Sequence, residues 1–314
     1  MQTKNEQYQI RHFRISDWDD YQKLYLTAVA EGKEEYLGIS PDQLQVQLEY
    51  CSNLVSKNLF FLKQKEEIIG SLFAVPEREL RRIILYCFVH PAHRRKKIGD
   101  RLFVRGFKHS RVLGLNTVHV NVYKDNSDSI SFLKNLGFRC VRKYLEMQKN
   151  LLEESEYTTE LPRGFHFRCM HSGEEKILAQ LQNDSFRGSW GYNPNTADDI
   201  KLRFRLNIGA TDDVIFLFFD DKPAGYCWTQ IERNKKRARI HMIGVKPMYR
   251  GKNLGKTILK KAISYLAKKG MHIAVLTVDS NNEPAKNLYY TLGFNVINTS
   301  FWYEKKLTNL INRK

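Results

Sequence analysis

Arg250-Gly251-Lys252-Asn253-Leu254-Gly255 is the segment of this chain in which residue types and spacing most plainly suggest chemistry. A glycine-bearing loop that leads from a strand into a helix points several backbone N–H groups into one concavity. The helix dipole adds positive potential there, and the result suits a diphosphate. Gly251 and Gly255 permit close backbone approach, and Asn253 tolerates a left-handed conformation better than most residues do. Arg250, Lys252 and Lys256 bring formal positive charge. The same glycines would serve in a simple strand-to-helix turn, so the loop alone leaves both readings open.

The elements around the loop have to position it. Ala238–Val245 reads as a strand running into the loop. Beyond it, Ile258, Leu259, Ala262, Ile263 and Leu266 recur at helical spacing until Gly270 stops the helix. Upstream, Val214–Phe219 reads as a buried strand, residues 220–223 as a turn and Ala224–Ile231 as the hairpin partner. Glu232–Arg237 is a charged turn whose basic residues suit a solvated face. Downstream, Ile273–Val278 is a strand, and Pro284 opens a short helix that ends at Gly293. Phe294 to Lys306 is expected to return as a final strand pair. The fold class is therefore α/β, a mixed sheet flanked by helices.

The pattern occurs twice. Val89-His-Pro-Ala-His-Arg-Arg-Lys-Lys-Ile-Gly99 matches Val245-Lys-Pro-Met-Tyr-Arg-Gly-Lys-Asn-Leu-Gly255 at an offset of 156. Asn126 and Leu136-Gly137-Phe138 match Asn282 and Leu292-Gly293-Phe294 at the same offset. Phe61 and Ile69-Gly70 match Phe216 and Ala224-Gly225 at 155. Landmarks that keep their frame to within one residue predict two homologous domains, 1–151 and 160–314, each a mixed twisted sheet with flanking helices. The acidic, polar segment 152–159 is the expected boundary.

Composition narrows the function classes. The 314 residues carry 51 Lys and Arg against 34 Asp and Glu, a formal charge of +17. The excess is uneven: 25 basic and 20 acidic residues over 1–156 give +5, while 26 and 14 over 157–314 give +12. Such a balance suggests a polyanionic partner: nucleic acid, an acidic membrane, a ribosome or a phosphate-rich cofactor. Its concentration on the half with the glycine loop favours the cofactor, and nucleic acid stays open. A hydrophobic fraction of 42% supports real cores. No apolar run approaches the roughly 18–20 residues of a membrane helix, and the N-terminus carries no apolar stretch, so neither membrane nor export is expected. The cysteines, Cys51, Cys87, Cys140, Cys169 and Cys227, form no CxxC pair, which fits a reducing cytoplasm. The nine histidines lie apart from Cys or carboxylate partners at ligand spacing, so no metal is expected.

Val245-x-Pro-x-x-Arg-Gly-x-x-Leu-Gly255, followed by Asn282-x-x-Ala285-x-x-Leu288-Tyr289-x-x-x-Gly293-Phe294, resembles the GNAT N-acetyltransferase superfamily. The pairing of two such halves resembles the tandem arrangement of mycothiol synthase. The resemblance implies acetyl-CoA as acyl donor, with its pyrophosphate on Arg250–Gly255 and Lys256, its pantetheine along Ile243-Gly244-Val245, and Asn282 in the cofactor site. One departure is Asn253, where the family usually has glycine. Tyr289 takes the place of the family's general acid, and a phenol is a reasonable proton donor to a forming thiolate. His241 takes the place of a proton-accepting or water-organising residue on the strand before the loop, and its ordinary pKa near 6.5 suits that task. A strand histidine satisfied by its neighbours, or a water chain with no dedicated base, would also fit. Where mycothiol synthase has an acidic residue, two positions before His241, this chain has Arg239, which argues against that enzyme's own activity.

Subtracting 156 takes Tyr289 to Leu133 and His241 to Leu85, and neither leucine moves a proton. The loop Arg94–Gly99 keeps only its last glycine. The first domain is therefore expected to be catalytically silent. For the acceptor, Phe186, Trp190 and Tyr192 lie where this fold builds its pocket, although large aromatics there also suit plain core. The expectation is an acetyl-CoA-dependent N-acetyltransferase acting on a primary amine of a small molecule, peptide or protein. The alternative is a non-catalytic acetyl-CoA sensor or nucleic-acid- or ribosome-associated module on the same fold. Neither the acceptor nor the oligomeric state is legible.

Overall fold

Apolar alternation and helical periodicity resolve into elements that run in the same order through each half of the chain. The computed structural model describes residues 8–152, 160–206 and 210–308, without the side chains of residues 50–54. The side chain of Cys51 and residues 153–159 of the expected boundary lie outside the description. The first half runs β1 (Tyr8–His12), α1 (Trp18–Ala30), α2 (Pro41–Asn58), β2 (Leu59–Gln64), β3 (Glu67–Glu77), β4 (Arg82–Val89), α3 (Ile98–Val112), β5 (Thr117–Tyr123), α4 (Ser127–Asn135) and β6 (Arg139–Asn150). The second runs β7 (Phe165–Cys169), α5 (Glu175–Phe186), α6 (Ala197–Arg205), β8 (Val214–Phe219), β9 (Lys222–Glu232), β10 (Arg237–Val245), α7 (Leu254–Lys268), β11 (Ile273–Asp279), α8 (Glu283–Thr291) and β12 (Asn295–Lys306).

The chain forms two compact units that do not follow the two sequence halves. Among the described residues, the first unit takes the chain through Val122, then Asp128–Val141 and the segment from Trp302 onward; the second takes Tyr123–Ser127 and Arg142–Phe301. Strand order in the second unit is β6-β11-β10-β9-β8-β7, with β10 and β11 parallel and the other pairs antiparallel. In the first unit it is β1-β2-β3-β4-β5, with the end of β12 beside β5. Each sheet thus gains a strand from the other half of the sequence. The final strand pair expected over Phe294–Lys306 is instead one twelve-residue strand. No turn interrupts it, because its end runs on beside β5, where Glu304 meets His119 Nε2 at 3.1 Å and Leu307 N donates to Asn116 O at 2.7 Å.

Strand alternation divides the second unit into two cores. One face packs Ala238, Ile240, Leu276 and Met147 against Ile258, Leu259, Ala262, Ile263 and Leu266 of α7 and Tyr289 and Leu292 of the α8 region. The other packs Phe216, Phe218, Tyr226 and Trp228 against Leu178 and Leu181 of α5 and Ile200 of α6.

The ladder between β9 and β10 breaks register once. Ile240 pairs with Thr229 and Met242 with Trp228, so His241 is the extra residue of a β-bulge. The ladder between β3 and β4 runs unbroken from Gly70–Val89 to Glu77–Arg82. By register, Leu85 pairs with Ala74 as Ile240 pairs with Thr229. His241 therefore has no counterpart in the first unit, which corrects its alignment with Leu85. The one-residue change in repeat offset, from 155 to 156, is this inserted histidine.

Candidate active site

β10 pairs with β11 only from Arg237 to Ile240, and beyond the bulge the two parallel strands part. Lys246 N donates to Ala224 O at 2.9 Å, so backbone groups at alternate residues point toward β9. Ile243 and Val245 therefore turn their N–H and C=O groups to the edge that no described strand covers. An edge of this form suits an extended, amide-bearing chain. Gly244, between them, faces α5: a Cβ there would lie 2.8 Å from Ser185 Cβ and 3.0 Å from Tyr226 Cε1.

The loop after β10 has the form its glycine and asparagine allow. Gly251 has φ +81° with open space around it, and Asn253, at the N-terminus of α7, has φ 56°. Both left-handed residues turn the chain so that N–H groups of the first helical turn face outward. Leu254 is buried and holds the turn down, while Lys252 and Lys256 are exposed. Arg250 spends its donors on the scaffold: Nε on Val245 O at 3.1 Å and Nη2 on Ser185 O at 2.6 Å. It braces the loop against β10 and α5. The first unit keeps this brace, with Arg94 Nε on Val89 O at 3.2 Å, and keeps both left-handed positions, at Arg95 (φ 62°) and Lys97 (φ 58°).

Tyr289 stands on α8, the helix α7 packs beside, and is buried at 7% exposure within the apolar core that also holds Cys227 and Leu254. Desolvation raises its phenol far above the usual value, with the Cys227 thiol adding to the effect, so the proton stays on. Asn282 caps α8 by accepting from Ala285 N at 3.2 Å. Its side chain fixes where the helix starts and hence where Tyr289 stands. Leu133 in the first unit is buried apolar core.

His241 is half-buried with its ring edge-on to Trp228 at 5.2 Å. Burial first, then the charges of Arg203 and Arg239, push its pKa down to about 4. Arg203 Nη1 lies 3.3 Å from His241 Nε2, and since a guanidinium only donates, Nε2 is the acceptor and the ring proton sits on Nδ1. The nitrogen that would take up a proton is already engaged, which removes the ready base with a pKa near 6.5 that the sequence suggested. Arg203 Nη2 continues to Asn195 Oδ1 at 3.2 Å, and Asn195 Nδ2 to Gln182 Oε1 at 2.7 Å.

Phe186, Trp190 and Tyr192 occupy the end of α5 and the connection to α6. Phe186 stacks on Tyr192 at 5.4 Å, and Tyr192 Oη donates to Asn183 Oδ1 at 2.8 Å. Burial pushes the Tyr192 phenol up to about 12. Trp190 stands apart from that pair, on Tyr144 at 6.2 Å and Arg142 at 5.5 Å, both residues of β6. Along β6, Arg142, Tyr144 and Glu146 share one face. Arg142 Nε pairs with Asp279 at 2.9 Å, and Glu146 pairs with Arg239 at 2.9 Å and Arg237 at 3.7 Å.

These β6 residues and Arg203 were invisible in sequence. Strand exchange brings β6 from the other repeat, and Arg203 sits on a helix with no motif. In the first unit the matching surface beside β4 is filled: Tyr86 stacks on Phe73 and lies so close to Gly38 that a Cβ there would overlap its ring.

Among the described residues no helix is long and apolar enough to cross a membrane, and no cluster of His, Cys, Asp and Glu could hold a metal. The acetyltransferase (GNAT) family matches residues 16–138 and 176–294, once in each half. A mycothiol acetyltransferase of Pseudarthrobacter chlorophenolicus is 25% identical over 238 residues, 73% of this chain and 72% of the relative. Another, of Corynebacterium efficiens, is 27% identical over 232 residues, 69% and 72% of the two chains. Among solved structures, a GCN5-related N-acetyltransferase of Sphaerobacter thermophilus aligns over 98% of both chains with TM-score 0.72 and 18% identity. A tandem GNAT protein from the clavulanic acid biosynthesis pathway aligns over 96% of this chain and 99% of its own with TM-score 0.73 and 14% identity. A split β10–β11 pair, a glycine loop opening a helix and a family match in both halves lead to one conclusion: the chain is a tandem member of the acetyltransferase (GNAT) family.

Proposed function

We propose that this N-acetyltransferase moves an acetyl group from acetyl-CoA to the primary amine of a small molecule, with the reaction carried out in the second unit. The observation that carries this reading is the bulge at His241, which opens the edge of β10 next to the glycine loop and Tyr289 and which the first unit lacks. The residues fit the acyl donor. Open space above Gly251, the outward N–H groups of the first turn of α7, and exposed Lys252 and Lys256 suit a diphosphate. Ile243 and Val245 offer the ladder groups for the pantetheine amides. Bound there, acetyl-CoA supplies an activated acyl carbon and a thiolate leaving group.

In the proposed step the amine nitrogen forms a bond to the acyl carbon while the C–S bond breaks. Tyr289 holds its proton because of burial and gives it to the departing sulfur, then regains one from solvent. A buried phenol is a weak acid, but the thiolate forms in the same poorly solvated place and its own proton affinity rises with it. His241 is neutral at pH 7 and orients, through Nδ1–H, the water beside the incoming amine, and the amine's proton leaves through that water. The name of the curated relatives supports a small-molecule acceptor, while Arg239 and the paired Glu146 make a different pocket wall from the one expected of mycothiol synthase. The first unit, with Leu133 in place of Tyr289 and Tyr86 against Gly38, serves as scaffold.

Thiol release from acetyl-CoA across a panel of amines tests the reading. Tyr289→Phe should lower kcat by roughly 100-fold with little change in KM for acetyl-CoA, in the range expected for loss of a general acid. A variant that turns over like wild type would remove Tyr289 from the mechanism.

A further inference from the structure

Four buried donors on the α5–α6 face of the second unit lack a hydrogen-bond partner among the described residues: Gln182 Nε2, Ser185 Oγ, Tyr226 Oη and Trp228 Nε1. All four side chains are nine-tenths or more buried. A buried polar group without a partner costs on the order of 1–3 kcal/mol, so four in one place call for a physical reason.

They belong together. Ser185 and Tyr226 meet beneath Gly244. Trp228 lies against His241. Gln182 connects through Asn195 to Arg203, and Arg203 reaches His241. Arg203 also acts on the Tyr226 phenol through its charge. The set is therefore a floor of neutral donors with a guanidinium at its half-exposed rim. The acids of this unit's pocket face, Glu146 and Asp279, are paired with Arg239, Arg237 and Arg142. In the same connection, Asn193 Oδ1 is a buried acceptor that also lacks a partner.

Gln Nε2 and Trp Nε1 can only donate, and Ser and Tyr hydroxyls can donate. A donor-rich floor beside an arginine is matched by an oxyanion, which accepts several charge-assisted hydrogen bonds at once. A neutral apolar amine would leave all of the donors unpaired. Resting on the acetyltransferase reading above, we propose that the acceptor carries an anionic group, a carboxylate or a phosphate, beside its amine, and that Arg203 with Tyr226, Trp228, Ser185 and Gln182 receives it. The anion is held on the α5–α6 side of β10, and the amine is presented at the bulge. The pairing also explains why Arg203 lies on His241: it organises the rim that the anion completes.

The test uses two matched pairs of amines with the full-length protein, alanine against alaninamide and O-phosphoethanolamine against ethanolamine. Binding is read by calorimetry and turnover by thiol release. At least one anionic member should bind ten-fold or more tightly than its neutral partner and show a correspondingly higher kcat/KM; the pair that responds distinguishes carboxylate from phosphate. Arg203→Gln should abolish that preference while acetyl-CoA binding, measured separately, stays intact and certifies the fold. Tyr226→Phe should raise the KM for the anionic member and spare the neutral one. Equal binding within both pairs, or an Arg203→Gln variant that keeps the preference, would overturn the proposal. Turnover of amines without an anionic preference sinks this inference and leaves the acetyltransferase reading standing. Anion-selective binding without any thiol release does the reverse.

Discussion

At the scale of residues, the fate of His241 shows how environment overrides type. A histidine suggests a group poised near neutrality, yet burial and two arginines push this one down to about 4. Its titration is then a stability statement. The folded pKa lies below the ordinary value near 6.5, so the unfolded chain binds more protons between the two values. The stabilisation from neutral His241 is complete above about pH 6.5 and is lost as pH falls through 4. Urea midpoints of wild type should therefore decline over that interval, and His241→Gln should show a flatter decline. Equal slopes would mean that His241 is solvated and ordinary. The turn at Gly251 and the helix that carries Tyr289 were legible from spacing because each depends on local sequence. The contacts of Arg203 with His241, Glu146 with Arg239 and Tyr226 with the Gly244 position were not, since they depend on which side chains meet across elements.

At the scale of elements, the two β-hairpins compare one backbone with and without an insertion. The ladder β3–β4 is regular; the ladder β9–β10 carries His241 as an extra residue. Deleting His241 should restore the regular register, keep the circular dichroism of the fold, and abolish thiol release. Retained turnover would show that the bulge is dispensable. The loops make a second comparison. Arg95 and Lys97 hold the left-handed conformation that Gly251 and Asn253 hold, at a cost of roughly 1–2 kcal/mol for each residue with a Cβ. Gly251→Ala has space for its methyl but inherits that strain. It should lower stability by about 1 kcal/mol, read from urea unfolding, and raise the KM for acetyl-CoA. Strands β8 to β11 and helices α7 and α8 were legible because one face of each is apolar at the right period. The final strand was misread as a pair since period-2 alternation says nothing about where along its length a strand changes neighbours.

At the scale of the whole molecule, the repeat was legible and the exchange of strands across it was not. Sequence similarity divides the chain near 152–159, whereas the sheets exchange strands across that point. β6 supplies Leu145 and Met147 to the core of the second unit and covers the edge of β11 through seven register pairs. A truncation to residues 160–314 keeps every glycine of the loop and Tyr289, yet exposes that edge and core. It should aggregate or fail to show a cooperative thermal transition. A soluble, cooperative and active 160–314 fragment would show that β6 is dispensable.

The placement of the end of β12 beside β5 also sets the order in which the molecule can be made. β5 is complete by Tyr123, but its neighbour includes Trp302 to Lys306, which the ribosome adds only after the whole of β6 to β11 has been made. Until then β5 carries an open edge, a template for pairing with other chains. Long-range closure of this kind slows folding and prolongs exposure to aggregation. Closure of the first unit's sheet therefore waits until the second repeat has been synthesised, and a premature stop anywhere before Trp302 leaves the first unit without its closing strand.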